Sequence, residues 1–202
     1  MVGIFDVAKT VCKMAGWNLS PLELQKIMYI LQMFHIGKYE SPLFYANFKA
    51  WKFGPVEPSL YQKLRRYGSS KVSSLVFVLD DFVDENTAEW KFIQEYTNKL
   101  LNKSASWLLN YTHAEIGAWK RIYKEGEEHE DDAISNDDIW DEYQRRAIEC
   151  GGVPDRSLDK NITKPVRVSR DVKEIPRKMF VEIHRLVERV SRKLFAHYFL
   201  DY

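Results

Sequence analysis

The chain has 202 residues, 45% of them hydrophobic and 29% charged, with 30 Lys+Arg against 29 Asp+Glu. That is the composition of an ordinary globular protein, and it excludes disordered and collagen-like classes. Every apolar run is broken by Lys, Gln or Asp well before the roughly 18 residues that a membrane span needs, so no span is expected.

The first residues, MVGIFDVAKTVCKMAGW, carry Asp6 inside their apolar stretch and lack the basic flank and cleavage site of a secretory signal. With only Cys12 and Cys150, in no zinc-ligand spacing, a reducing, cytoplasmic setting is expected. Ile4, Val7, Ala8, Val11 and Met14 recur at helical spacing and predict a helix over 4–15, closed by Gly16. The clearest helix start follows at Ser20-Pro21-Leu22-Glu23, with Ser as N-cap, Pro at the first helical position and Glu closing a capping box. Its apolar residues, Leu24, Ile27, Met28, Ile30, Leu31 and Phe34, wrap most of a helical surface, which marks it as central to the core.

Beyond Gly37, Phe44, Phe48, Trp51 and Phe53 alternate with small or polar residues up to Gly54-Pro55, an extended segment ending in a turn. Glu57-Pro58-Ser59 opens a short helix that Gly68 stops. The β-branched run from Val72 to Val83 predicts a strand or hairpin arm. Helical spacing returns over Asn86–Leu101, a brief helix is expected over Ser104–Leu109, and Thr112 or His113 is expected to start another through Ile116, Trp119, Ile122 and Tyr123. A like-charge block from Glu125 to Asp132 reads as a solvated loop, and Ser135 caps a further helix through Ile139, Tyr143, Ala147 and Ile148.

Gly151-Gly152 divides the chain. Residues 1–150 carry net −4, and residues 151–202 carry 12 Lys+Arg against 7 Asp+Glu, so the second part is suited to a different partner, or to the first part. Residues 151–175 read as a linker or wrapping arm. The spacing from Pro176 predicts a basic amphipathic helix in residues 176–202, about 37 Å long over 176–200. Phe180, Ile183, Val187, Leu194 and Tyr198, with Arg185 and Arg189, are its candidate partner-binding residues. The fold class is therefore mainly α with a small β element (α+β), a compact helical domain followed by that linker and helix.

The chemistry-bearing clusters are few. His113 and Glu115 stand two apart, so on a helix they face different directions; Thr112 with Glu115 reads as a capping box. The stretch Glu125–Glu142 holds ten Asp or Glu and no Lys or Arg, without the ligand alternation and mid-loop glycine of a calcium loop. No glycine-rich phosphate loop or GxSxG is present. The expectation is a protein that is no enzyme, with no catalytic residues, no metal and no cofactor. Net +1 overall disfavours nucleic acid as a partner.

Four pieces in order carry a resemblance: Ser20-Pro21-Leu22-Glu23-Leu24-Gln25-Lys26-Ile27-Met28-Tyr29; Pro42-Leu43-Phe44 leading to Phe48-Lys49-Ala50-Trp51-Lys52-Phe53-Gly54-Pro55-Val56-Glu57-Pro58 and Tyr61; Thr112-His113 leading to Trp119; and Ile134 with Ile139 and Tyr143. Over residues 4–148 the chain resembles the Panacea domain family of phage-associated GepA-like proteins and SocA-like antitoxins. Trp51, Gly54, Pro55, Tyr61, His113 and Trp119 match the shared motif, while Ala118 stands where the family usually has Pro. The resemblance implies an antitoxin of a toxin–antitoxin system that neutralises its cognate toxin by direct binding. The alternative is a phage or mobile-element regulator or adaptor acting on host machinery, such as a protease adaptor or a nucleic-acid-associated protein. On the residues alone, Trp51, Tyr61 and Trp119 are core aromatics, Gly54-Pro55 a turn, and His113 part of a cap. A homodimer through the C-terminal helix is a further expectation.

Overall fold

The computed structural model describes residues 1–124 and 132–159. The predicted C-terminal helix and the acidic block up to Asp131 lie outside them. Seven α-helices and one two-stranded sheet are found among the described residues, in agreement with the predicted fold class.

Helix α2 (Pro21–Tyr39) is the axis of the molecule, with every residue from Leu24 to Gly37 buried. Its start follows from the sequence: the Ser20 hydroxyl accepts from the Glu23 N–H, and the Ser20 N–H donates to the Glu23 carboxylate at 2.8 Å. Total burial forces each polar side chain of the helix to find a partner. Gln25 brackets Glu57, donating to its carbonyl at 3.1 Å and accepting from its N–H at 2.9 Å. Gln32 does the same for the loop at Leu43 and Phe44. The polar residues of α2 thus work as clamps on the neighbouring chain.

Around α2 pack α1 (Ile4–Met14), α4 (Ala88–Leu101), α5 (Ala105–Thr112) and α7 (Asn136–Glu149). Phe34 of α2 meets Tyr96 of α4 at 4.8 Å and Tyr143 of α7 edge-on at 5.8 Å between ring centroids. A side chain at Gly37 would run into the Tyr143 ring, so close helix contact explains that glycine. Each large apolar side chain buried here contributes about 1.5–3 kcal/mol.

The sheet pairs β1 (Lys49–Trp51) with β2 (Gly54–Val56), antiparallel, with Ala50 opposite Pro55 and Trp51 opposite Gly54. The far edge of β1 is covered by the residues entering α7: Ala50 N–H donates to the Asp132 carbonyl at 2.9 Å and Ile134 N–H to the Phe48 carbonyl at 2.8 Å. Pro55 lies on the strand with no further strand beside it, where its missing N–H does no harm. From β2 the chain enters α3 (Pro58–Leu64), whose N-cap is Glu57.

Two expectations are corrected. The run Val72–Val83 is no strand; it holds a 3-10 turn over Ser74–Phe77, capped by the Ser73 hydroxyl, and buries Val72, Phe77 and Val83 while its other apolar residues stay half-buried or exposed. With no neighbouring strand to pair with, β-branching alone did not set the conformation. Nor do Thr112 and His113 start a helix. Thr112 ends α5, its hydroxyl donating back to the Leu108 carbonyl at 3.1 Å, and the next helix, α6 (Ala118–Ile122), begins six residues further on behind Gly117. The capping box read at Thr112 and Glu115 is therefore absent.

Residues 153–158, which the sequence places in the linker or wrapping arm, lie against the body in a 3-10 turn (Pro154–Leu158). Tyr111 and Ser157 share a hydrogen bond at 2.7 Å, the Tyr96 hydroxyl donates to Asp155 at 2.9 Å, and Leu158 is buried. None of the described helices is long and apolar enough to cross a membrane.

Candidate functional site at the hairpin

The turn at Lys52-Phe53-Gly54 is the meeting point of the sequence motif. Gly54 has φ +97°, a conformation that favours glycine. Space excludes any other residue as well: a Cβ there would collide with Lys26 Nζ and stand 2.7 Å from His113 Nε2. Two nitrogens from distant parts of the chain therefore converge on one glycine.

Lys26 is fully buried, and its ammonium group donates to the Pro55 carbonyl at 3.0 Å. Burial without a carboxylate partner pulls its pKa down to about 7. His113 follows the end of α5, half-buried, with its ring hydrogen-bonded to the Phe53 backbone and its Nε2 without a partner among the described residues. Burial, reinforced by the neighbouring Lys26 charge, lowers its pKa to about 4. The imidazole is neutral at neutral pH and serves as a flat surface rather than a charge.

That surface is used. His113 stacks on Trp119 at 3.8 Å and 14°, and Trp119 stacks on Tyr123 at 4.8 Å. The Trp119 indole N–H donates to the Trp51 carbonyl at 2.8 Å, and the Trp51 ring meets Tyr61 edge-on at 5.1 Å. The six motif residues, Trp51, Gly54, Pro55, Tyr61, His113 and Trp119, thus form one cluster on the hairpin and its flanks.

Not all of these aromatics are core. Trp119 is buried, but Trp51 is only half-buried, Tyr61 is 40% exposed and its neighbour Phe53 is 64% exposed. They face an apolar groove of about 440 Å³, lined by Pro21 and Leu22 of α2, Trp51, Phe53 and Val56 of the hairpin, and Tyr61 and Leu64 of α3. For Tyr61 the reading as a core residue is corrected. Helix α3 turns one face inward, through Leu60 and Leu64, and Tyr61 sits beside it.

A second polar cluster meets α2 one turn further on, at Tyr29. Glu142 of α7 is fully buried; it accepts from the Tyr29 hydroxyl at 2.6 Å, the Ala118 N–H at 2.8 Å and Arg146 at 2.6 and 2.9 Å. Burial opposes the Arg146 charge, yet Tyr111 and Glu142 hold its pKa above the usual value. Tyr29 is pushed well up by burial and by Glu142. Ala118 matters here, since Pro at this position would lack the N–H that Glu142 receives.

Reasoning from sequence missed Lys26, Gln25 and Glu142 as parts of these clusters. The available signal was a helix too apolar all round to have a solvated face, so that any Lys or Gln on it had to be buried. Phe180, Ile183, Arg185, Val187, Arg189, Leu194 and Tyr198 lie outside the described residues. No group of His, Cys, Asp or Glu among the described residues is arranged to hold a metal ion.

Neither a curated protein nor a solved structure matches the chain. One family model does, described as the antitoxin SocA-like, Panacea domain, over residues 24–120. That span contains α2 from Leu24, the hairpin, α3, His113 and Trp119, and so takes in the motif cluster whole. Over this segment, just under half of its length, the chain is similar to the antitoxin SocA-like, Panacea domain.

Proposed function

We propose that the protein is the antitoxin of a toxin–antitoxin pair and that it acts in the cytoplasm by binding its toxin, without catalysing a reaction. The observation that carries this reading is the groove beside the hairpin. The domain that matches the antitoxin family builds it from its own motif residues, Trp51 and Tyr61, and leaves Phe53 standing in solvent. Large exposed aromatics around an apolar cleft are the anchors that protein interfaces use. His113 supports binding over turnover, being stacked and neutral with Gly54 closing off its free nitrogen.

The test is co-expression of the full chain with the product of the adjacent gene, scoring growth and co-purification. Rescue together with a stable complex is the expected result. A harmless neighbour, or a toxic one that the chain neither binds nor relieves, overturns the reading. A chain ending at residue 159, assayed beside the full one, reports how much of the recognition resides in the basic C-terminal residues.

A further inference from the structure

The chemistry of the partner segment follows from the charges around the groove. Residues 49–71, which supply most of its lining, carry six Lys or Arg and a single acidic residue, Glu57. Three of these cations are accounted for within the fold: Lys63 pairs with Asp80 at 2.7 Å, Lys71 with Glu23 at 3.3 Å, and Lys49 is not free either. The two carboxylates that follow lining residues in the chain are also engaged. Glu57 caps α3 through the Leu60 N–H and the Ser59 hydroxyl, and Glu23 closes the capping box of α2. Lys52, Arg65 and Arg66 are left without a carboxylate among the described residues, and all three are exposed. They adjoin the lining residues along the chain: Lys52 stands between Trp51 and Phe53, its ammonium 5.8 Å from the Phe53 ring centroid, and the two arginines stand between Leu64 and Gly68.

We infer that the groove receives a short acidic segment of the toxin, with one or two large apolar side chains seated between Trp51, Phe53 and Tyr61 and its carboxylates on Lys52, Arg65 and Arg66. The apolar cleft supplies burial, and the uncompensated cations supply orientation and on-rate. A single-stranded nucleic acid fits the same surface less well. The one lining side chain with an amide for base edges, Gln25, has its amide nitrogen and oxygen both engaged by the Glu57 backbone, and three cations do not make a track for a phosphate backbone.

The inference takes the binding role from the antitoxin reading and adds the chemistry of the contact, so its test is a direct titration that needs no toxin. Full-length protein is titrated with a labelled synthetic peptide of about a dozen residues, Leu and Phe set among Asp and Glu. The same is done with its twin bearing Lys at every acidic position, and with an unstructured single-stranded DNA oligonucleotide. The acidic peptide is expected to bind at least about tenfold more tightly than its twin, and less tightly as salt rises. Lys52→Glu with Arg65→Glu is expected to reverse the preference, and Phe53→Ala to abolish binding. These are exposed positions, and an unchanged melting temperature shows that the variants fold. No binding of the acidic peptide, equal binding of both peptides, tighter binding of the DNA, or indifference to the substitutions each overturns the inference. A chain that rescues growth in co-expression but ignores the peptide refutes this contact and leaves the antitoxin reading intact. Peptide binding without rescue does the reverse.

Discussion

Two buried polar clusters meet helix α2 one turn apart, at Tyr29 and at Lys26, and are built on opposite terms. In the first, Glu142 and Arg146 form a closed set, a buried ion pair whose remaining hydrogen-bonding capacity is taken by Tyr29, the Ala118 N–H and the Tyr111 carbonyl. In the second, Lys26 has one carbonyl for a partner, His113 Nε2 has none among the described residues, and both lean on a glycine in a left-handed conformation. The first arrangement stabilises, because every charge and donor taken from water is matched. The second sustains a polar cost in order to hold the Lys52-Phe53-Gly54 turn, and with it the groove, in one shape. Unfavourable local terms collect where a surface has to be presented, and satisfied ones where the fold has to be held.

The largest expected effect lies on the satisfied side. Arg146→Ala would leave the Glu142 carboxylate buried with no cation and is expected to cost about 3–5 kcal/mol in urea unfolding, since removal of one partner strands the other. A loss below about 1 kcal/mol would mean that water enters the cluster and that it is less closed than its geometry implies.

Next comes Gly54→Ala, which adds a strained backbone to a collision with Lys26 and His113. A loss of about 1–3 kcal/mol is expected, with faster hydrogen exchange concentrated in β1, β2 and the start of α3. Uniform exchange across the chain would show that the hairpin does not respond as a unit.

Titration sharpens the contrast further. Lys26 has its pKa lowered from 10.5 to about 7 in the folded state. Across that window the unfolded chain binds more protons than the folded one, so stability rises with pH between about 7 and 10.5. For His113 the same sign applies between about 4 and 6.5. Lys26→Met is expected to flatten the upper window and His113→Gln to reduce the slope in the lower one, as followed by melting temperature against pH. An upper window unchanged in Lys26→Met would assign that slope to other groups.

Phe53→Ala and Tyr61→Ala should be the mildest for stability, within about 1 kcal/mol, because both side chains are substantially exposed. Their effect is expected in toxin binding and growth rescue instead. A large loss of stability from Phe53→Ala would mark it as part of the core after all.

Local patterns in the sequence located most of the helices. Ser20-Pro21-Leu22-Glu23 announced α2, and Ser135 followed by acidic residues announced α7, because a capping box needs only residues three apart. The all-round apolarity of α2 correctly placed it at the centre. The same local logic failed at Thr112-Glu115, whose letters suit a cap but whose chain was already committed to ending α5, and at Val72–Val83, where no strand lay alongside to accept pairing. The motif residues were identified by resemblance; that they form one cluster was beyond any spacing rule, since Lys26, Gly54, His113 and Trp119 span most of the described chain.

What the sequence determined by itself, then, is most of the helices, a small β content and the chemistry available to them, since propensity, capping and hydrophobic period act over a few residues. Only the tertiary structure decided which polar residues of α2 would be buried, that Glu142 would meet Arg146 and Tyr29, and that Trp51, Phe53 and Tyr61 would border one groove. Those outcomes depend on contacts between residues up to 113 positions apart, as between Tyr29 and Glu142, and such contacts exist only once the helices have packed.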